Sequence, residues 1–201
     1  MFRRFFISAG DYSGNLIGAK VIELLSEKYS DALFEGIGGD EMVKCGHSSM
    51  SAIQNTAVSG FVSVIKRYPF FRKLLNDSLK KLAENRYDIV VLIDFSGFNM
   101  KLLKYCKQHK IPVYYIAPPQ VWAWKKNRVH EFKGVPVQTV FEFENELFEK
   151  AGATVHFCGH PVYDRIEKHN NAHDKEFIVM LPGSRKSVIL KNFEEFKYTA
   201  R

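Results

Sequence analysis

The chain has 201 residues, 46% hydrophobic and 25% charged, and its 29 Lys and Arg against 22 Asp and Glu leave a net charge of +7. That size and apolar content suit one domain, or one domain plus a stub, and exclude intrinsic disorder and collagen-like repetition. No repeat recurs at solenoid periods, and no apolar run approaches the length that spans a bilayer.

A basic balance attracts nucleic acid, anionic lipid headgroups or phosphorylated substrates, and charge alone does not choose among them. Cys45, Cys106 and Cys158 are odd in number, widely spaced and form no CxxC pair. They read as reduced thiols of a cytosolic protein rather than as a disulfide framework or zinc site.

The chain opens with basic residues before an apolar run, Met1 to Ile7, which ends at Ser8-Ala9-Gly10-Asp11. So short a run reads as a first strand, Phe5–Ala9, and not as an export signal, which makes the cytoplasm the default compartment. A glycine-bearing turn, Gly10 to Asn15, leads into a helical pattern carrying Leu16, Ala19, Ile22 and Leu25. Leu33–Ile37 is a second strand, ending at Gly38-Gly39. Leu74, Leu75, Leu79 and Leu82 predict a helix over about 70–85. Asp88–Ile93 is the clearest buried strand, β-branched and apolar on both faces as in a parallel sheet. A short helix carrying Leu102, Leu103 and Cys106 then leads to a strand at Val113–Ile116. Further strands are expected at Val135–Phe141, Thr154–Phe157 and Phe177–Leu181, and a last helix over roughly 186–198. Strand and helix in alternation predict right-handed βαβ units, a Rossmann-like doubly wound parallel sheet of the α/β class, with ligands at the carboxyl ends of the strands. The polar stretch 165–176 reads as a linker between a domain over 1–164 and a short segment over 177–201 that is too small to bury its own apolar faces.

Four segments follow predicted strands and could carry chemistry. Ser8 to Asn15 allows close ligand approach at a helix N-terminus, or is simply a turn capped by Asp11 or Ser13. It does not match the dinucleotide fingerprint, because the glycine spacing differs. Ile93 to Asn99 places Asp94 at the end of the most buried strand. A carboxylate there is partly desolvated and suits a general base, or it caps the next helix. Ala117 to Trp124 sets Gln120, Trp122 and Trp124 behind two stiffening prolines; these side chains could pack on a sugar or acyl chain, or tuck the loop into the core. Leu181 to Arg185 offers Arg185 as a phosphate clamp or a surface arginine. His160, in Cys158-Gly159-His160-Pro161, is a further strand-end residue, structural or catalytic.

Phe61 to Leu75 mixes bulky apolar and basic residues. Phe61, Val64, Ile65, Phe70, Phe71 and Leu74 could be immersed in a headgroup layer with Lys66 and Arg67 near lipid phosphates, or the segment is a core helix with a basic outer face.

Taken in order, these segments resemble the lipid-A-disaccharide synthase family. The family's S-A-G-E-x-S-G-D opening stands here as Ser8 to Asn15, and its G-I-G-G-x-x-M run as Gly36 to Met42. Its I-D-x-P-x-F-N stands as Ile93 to Asn99, and its Y-Y-V-S-P-Q-V-W-A-W followed by R-V as Tyr114 to Trp124 with Arg128-Val129. Its G-H-P stands at Gly159–Pro161 and its L-P-G-S-R at Leu181–Arg185. The sequence departs from the pattern at Asp11 (usually Glu), Asn15 (usually Asp), Ser96 (usually Pro), Phe141 to Glu144 (usually L-P-F-E) and Val188, where a Glu is expected.

The resemblance implies the first domain of a GT-B-type glycosyltransferase, two Rossmann-like domains facing each other across a cleft, with only the start of the second domain in this chain. It implies inverting transfer that joins UDP-2,3-diacylglucosamine to 2,3-diacylglucosamine 1-phosphate and releases UDP, without metal or other cofactor, on the inner face of the inner membrane. Carried onto this sequence, Asp94 is the general base for the acceptor 6-hydroxyl. Asp11, Ser13, Asn99, Gln120 and Trp122 serve the substrates, and Arg185 holds the UDP diphosphate. The family runs to about twice this length, so the chain is expected to be a fragment, a disrupted gene product or one piece of a split enzyme. A homo-oligomer or a complementing second half is a possible partner. The alternative is an inactive fragment that acts at most as an acyl-sugar or membrane-binding module. A nucleic-acid partner is not expected, since no recognisable module accompanies the charge.

Overall fold

The computed structural model describes residues 3–51, 67–161, 163, 179–183 and 186–199. Contacts divide the chain into two compact units, Met1–Arg165 and Ile166–Arg201. In the first, the order is β1 (Arg4–Ala9), α1 (Tyr12–Lys28), β2 (Leu33–Ile37), α2 (Asp40–Lys44), β3 (His47–Ser49), α3 (Tyr68–Glu84), β4 (Ile89–Ile93), α4 (Ser96–Gln108), β5 (Val113–Ile116), a 3-10 segment (Lys126–Phe132), β6 (Pro136–Thr139), a 3-10 turn (Glu142–Glu144), α5 (Asn145–Lys150) and β7 (Thr154–Phe157). The seven strands form one sheet in the order β3-β2-β1-β4-β5-β6-β7, and every neighbouring pair is parallel. The order reverses at β1, so the crevice of a doubly wound sheet falls between the carboxyl ends of β1 and β4.

Two-residue alternation splits the strands between two layers of core. Phe5, Ile7, Ala9, Val91, Ile93 and Ile116 face one side, where Ala19 and Ile22 of α1 and Met42 of α2 cover them. Phe6, Val90, Leu92, Tyr115 and Val137 face the other, against Leu74 and Leu82 of α3, Leu102, Leu103 and Cys106 of α4, and Phe132 and Phe148. Helix α1 buries Gly14, Asn15, Gly18, Ala19 and Ile22, one face at the i, i+4 spacing. Its small residues let α2 approach closely: a methyl on Gly18 would lie 2.6 Å from the Met42 sulfur. Helix α3 starts with Pro69 in its first turn, where the missing N–H costs nothing, and buries Leu74, Ser78 and Leu82. At the amino end of the sheet, Glu35 accepts from Arg4 Nη2 and the Tyr87 hydroxyl, each at 2.8 Å, and pairs with Lys81.

In the second unit, helix α6 (Lys186–Thr199) follows an irregular stretch at 179–183, and Asn192 Nδ2 donates to the Pro182 carbonyl at 3.0 Å. The strand expected over Phe177–Leu181 does not form in its described part: Val179 and Leu181 are exposed and pair with no strand. An apolar run becomes a strand only where a neighbour takes its backbone groups. The residues read as a linker, 165–176, lie outside the described residues. The three cysteines are free thiols. Among the described residues no helix is long and apolar enough to cross a membrane.

Candidate functional site

A cleft of about 1520 Å³ opens at the carboxyl edge of the sheet, lined by α1 from Tyr12 to Leu24, by Glu41, Lys44 and Cys45 at α2, by Asp94 and Ser96 after β4, by Ala117 to Gln120 after β5, by Gln138, Val140 and Phe141 of β6 and its exit, and by Cys158 to Pro161 after β7. It lies at the end of the sheet where parallel α/β folds place ligands.

Asp94 lines the cleft where the chain leaves β4 through two successive left-handed residues, Asp94 at φ 43° and Phe95 at φ 47°. Non-glycine residues adopt this region only when their surroundings hold them there, at a cost on the order of 1 kcal/mol or more each. Here the Asp94 N–H donates to the Ile116 carbonyl (2.9 Å), and the Asp94 carbonyl accepts from Asn99 Nδ2 and the Tyr115 hydroxyl, each at 2.9 Å. The Phe95 ring stacks on Phe98 with centroids 5.0 Å apart and covers Gly10, leaving no room there for a methyl group. Gly10 is therefore glycine because an aromatic ring lies against its Cα.

The register pairs Ala9 with Ile93, so the turn after β1 and the turn after β4 are neighbours and bring Asp11 beside Asp94. The Asp94 carboxyl is pushed up to about 6, first by burial and then by the Asp11 carboxylate; the Phe95 N–H and the Ser96 hydroxyl partly offset these. Such a group is ionised at neutral pH yet more basic than an ordinary aspartate, the property a general base requires. Asp11 also caps α1: its Oδ1 accepts from the Gly14 N–H at 2.7 Å and from the Ser13 hydroxyl at 3.0 Å. The first loop is thus a capped turn that also lines the cleft, through the exposed Ser13. Asn15 is buried, and its Oδ1 accepts from the N–H groups of Gly39 (2.9 Å) and Met42 (3.3 Å), fixing the start of α2.

Asn99, expected to serve the substrate, does not line the cleft. It is fully buried, with its Nδ2 directed at the Ser8, Ile93 and Asp94 carbonyls and its Oδ1 accepting from the Ser8 hydroxyl at 2.6 Å. It acts beneath the site, holding the strained turn. Gln120 lines the cleft and is exposed. Trp122 stands outside the cleft lining on its rim, 42% exposed, and its indole N–H donates to Glu144 Oε1 at 2.9 Å. The tryptophans do not tuck the loop into the core; Val121 does, fully buried. Glu144 is itself fully buried, burial raising its carboxyl above the usual range against the opposing effect of Trp122, and its Oε2 accepts from the Phe141 N–H. It ties the loop after β5 to the turn after β6.

His160 is exposed at the far wall, its ring 5.5 Å from that of Phe141. Of the residues read as membrane-docking, Leu74 is in the core and cannot be immersed in lipid, because helical periodicity turns it onto the sheet. Phe70 and Phe71 are half-buried against the same core, and Arg67 is exposed at the start of α3. Phe61, Val64, Ile65, Lys66 and Arg185 lie outside the described residues. Sequence reasoning missed Gln138, Phe141 and Tyr12 in the cleft wall, and Ser8, Tyr115 and Glu144 in its support. Only the position of Gln138 near a strand end could have flagged it.

An all-parallel, doubly wound sheet whose cleft opens at the strand ends around a half-buried carboxylate defines a Rossmann-like α/β domain. Within that class the chain belongs to the lipid-A-disaccharide synthetase family, whose model matches residues 5–201. It is 32% identical to lipid-A-disaccharide synthase 1 of Legionella pneumophila (strain Philadelphia 1), over 98% of this chain and 55% of that protein. It is 30% identical to lipid-A-disaccharide synthase of Saccharophagus degradans, over 99% and 55%, and 33% identical to that of Granulibacter bethesdensis, over 90% and 49%. The chain spans about half the length of the curated relatives it matches.

Proposed function

We propose that this chain supplies the acceptor-side half of an inverting glycosyltransferase of lipid A biosynthesis. The reaction joins UDP-2,3-diacylglucosamine to 2,3-diacylglucosamine 1-phosphate. The acceptor 6-hydroxyl oxygen attacks the donor anomeric carbon from the face opposite the leaving group, the bond from that carbon to the diphosphate oxygen breaks, and UDP departs with the electron pair. Asp94 takes the hydroxyl proton. The observation that carries this reading is the Asp94 carboxyl, held in the cleft by a strained, hydrogen-bonded turn with its proton affinity raised by burial. Membership of the family supports the reaction class.

Ser13 and Gln120 contact the acceptor, Asp11 sets the charge beside Asp94, and Trp122 contributes at the rim. Arg185 stabilises the charge that builds on the diphosphate as it leaves. On this reading residues 1–164 form the acceptor-side domain, 165–176 a linker, and 177–201 the beginning of a nucleotide-binding domain. The enzyme works at the cytoplasmic face of the inner membrane, with the 61–71 segment adding contacts to anionic lipid. Because positioning both substrates supplies much of the rate, full turnover requires a nucleotide-binding half besides residues 1–201.

Asp94→Asn tests the assignment. Acceptor binding to the 201-residue chain, followed by calorimetry, should persist in the variant. UDP release, measured with the chain combined with the nucleotide-binding half of a relative, should fall by about a hundredfold or more. Near-normal UDP release by the variant removes Asp94 from its role. The alternative is an acyl-sugar or membrane-binding module without turnover. Acceptor binding with no UDP release under any combination would establish it.

A further inference from the structure

Glu144 is a fully buried carboxylate held by neutral donors. Its Oε1 accepts from the Trp122 indole N–H at 2.9 Å and its Oε2 from the Phe141 N–H at 3.3 Å. Among the described residues no lysine, arginine or histidine pairs with it. A buried charge without a counter-ion costs stability, and an apolar side chain of similar volume would fill the space without that cost. Stability of the scaffold therefore does not account for a carboxylate here.

Local capping accounts for only one of its two oxygens. The bond to Phe141 belongs to a capping box on the 3-10 turn, Glu142–Glu144. The bond to Trp122 reaches across 22 residues to another loop. Trp122 is 42% exposed, so its N–H has water as an alternative partner, and the bond serves placement rather than satisfaction of a buried donor.

Both ends of this link carry wall of the cleft. Ala117 to Gln120 line one side of it, and Gln138, Val140 and Phe141 another. The strand ladder joins these walls at their roots, where the Ala117 N–H donates to the Gln138 carbonyl at 3.0 Å. Further out, the Glu144 carboxylate joins them. Residues 120–124 form one tight turn, in which the Gln120 carbonyl accepts from the N–H groups of Ala123 (3.1 Å) and Trp124 (3.3 Å). Val121 roots that turn in the core at one point, and Trp122 ties it down at a second. A single anchor lets a turn rock; the second fixes Gln120 against the cleft.

We propose that Glu144 is a positioning residue for acceptor binding, clamping the turn that carries Gln120 to the turn that carries Phe141 and so setting the distance between two walls of the cleft. This inference rests on the function proposed above, in which Gln120 contacts the acceptor.

Glu144→Gln keeps the shape of the side chain and turns one acceptor oxygen into a donating amide, so only one of the two N–H groups keeps its partner. Calorimetry of the 201-residue chain with 2,3-diacylglucosamine 1-phosphate should show affinity about tenfold weaker in this variant. Trp122→Phe keeps a ring and removes the N–H at the exposed rim, so it tests the same link even where Glu144→Gln fails to fold, and it should weaken binding by a similar factor. The two changes together should lose little more than either alone, because they break one link. The sequence contains two tryptophans, so Trp124→Phe leaves Trp122 as the sole fluorophore. In that background Glu144→Gln should raise acrylamide quenching and lower emission anisotropy, with far-UV circular dichroism unchanged. Wild-type affinity in both Glu144→Gln and Trp122→Phe overturns the inference and leaves the proposed function standing. Additive losses in the double variant, or weaker binding with Trp122 emission unmoved, overturn it as well. Absence of acceptor binding by the wild-type chain would end the proposed function and this inference with it, and that failure shows before any variant is made.

Discussion

Replacing Asp94 with asparagine should make the protein more stable while removing its proposed chemistry. In the folded chain the carboxyl is pushed from its ordinary 3.8 to about 6, burial being the larger cause and the Asp11 carboxylate the next. Between these two pH values the folded state holds a proton that the unfolded chain has lost. Stability therefore falls as pH rises through that window, and above pH 6 the ionised side chain costs the fold at most about 3 kcal/mol. The amide keeps the shape of the carboxylate and removes its charge. Asparagine also tolerates the left-handed backbone at φ 43° at least as well as aspartate, a small gain that is independent of pH. Urea unfolding at pH 7.5 should show the variant more stable by about 1–3 kcal/mol, and at pH 4 most of that gain should vanish because the wild-type group is protonated there. Equal or lower stability of the variant at pH 7.5 would mean that the carboxylate is well solvated or paired, and the argument for a raised, basic Asp94 would fail.

Two further outcomes follow from the same geometry. Asp11→Asn keeps an acceptor for the Gly14 N–H but removes the charge beside Asp94. Carboxyl-carbon NMR titration should then show Asp94 protonating at lower pH than in the wild type, while still above 3.8, because burial remains; no change would show that the two carboxylates do not interact. His47 is buried on β3 and its imidazolium is disfavoured down to about pH 4, since burial outweighs what the Glu35 and Ile7 carbonyls return. The unfolded chain takes up that proton near 6.5, so stability present above pH 6.5 should decline by about 3 kcal/mol as pH falls toward 4. Chemical denaturation of His47→Gln should show a flatter profile over that range, and an identical slope would place the acid sensitivity elsewhere.

Much of the fold was legible because apolar β-branched runs have few alternatives. Leu33–Ile37, Val113–Ile116 and Thr154–Phe157 are strands at the expected residues, and β4 differs only in losing Asp88. The failures have physical causes. His47–Ser49 shows no apolar run and is a strand only because Phe34 to Gly36 of β2 pair with it. The strand expected over Val135–Phe141 ends early, because the chain turns after Thr139, tied down where Glu144 binds the Phe141 N–H and Trp122. That Asp94, Ser13 and Gln120 line the cleft agrees with their place after strands. Asn99 was misassigned because a polar residue one helical turn past a strand looks the same in sequence whether it meets a ligand or the backbone beneath one.

Sequence by itself determined the layered α/β class, the strands that fill the sheet and the edge at which a ligand would bind, since periodicity, glycine placement and burial preference are local properties of the chain. Tertiary structure alone decided which polar groups face the cleft and which hold the scaffold beneath it. Asp94 is more basic than an ordinary aspartate first because the fold buries it and then because the register of β1 against β4 brings Asp11 to it, while Tyr115 and Asn99 hold its backbone in a left-handed bend. Desolvation and the approach of like charges depend on distances between segments, and no spacing along the chain encodes them.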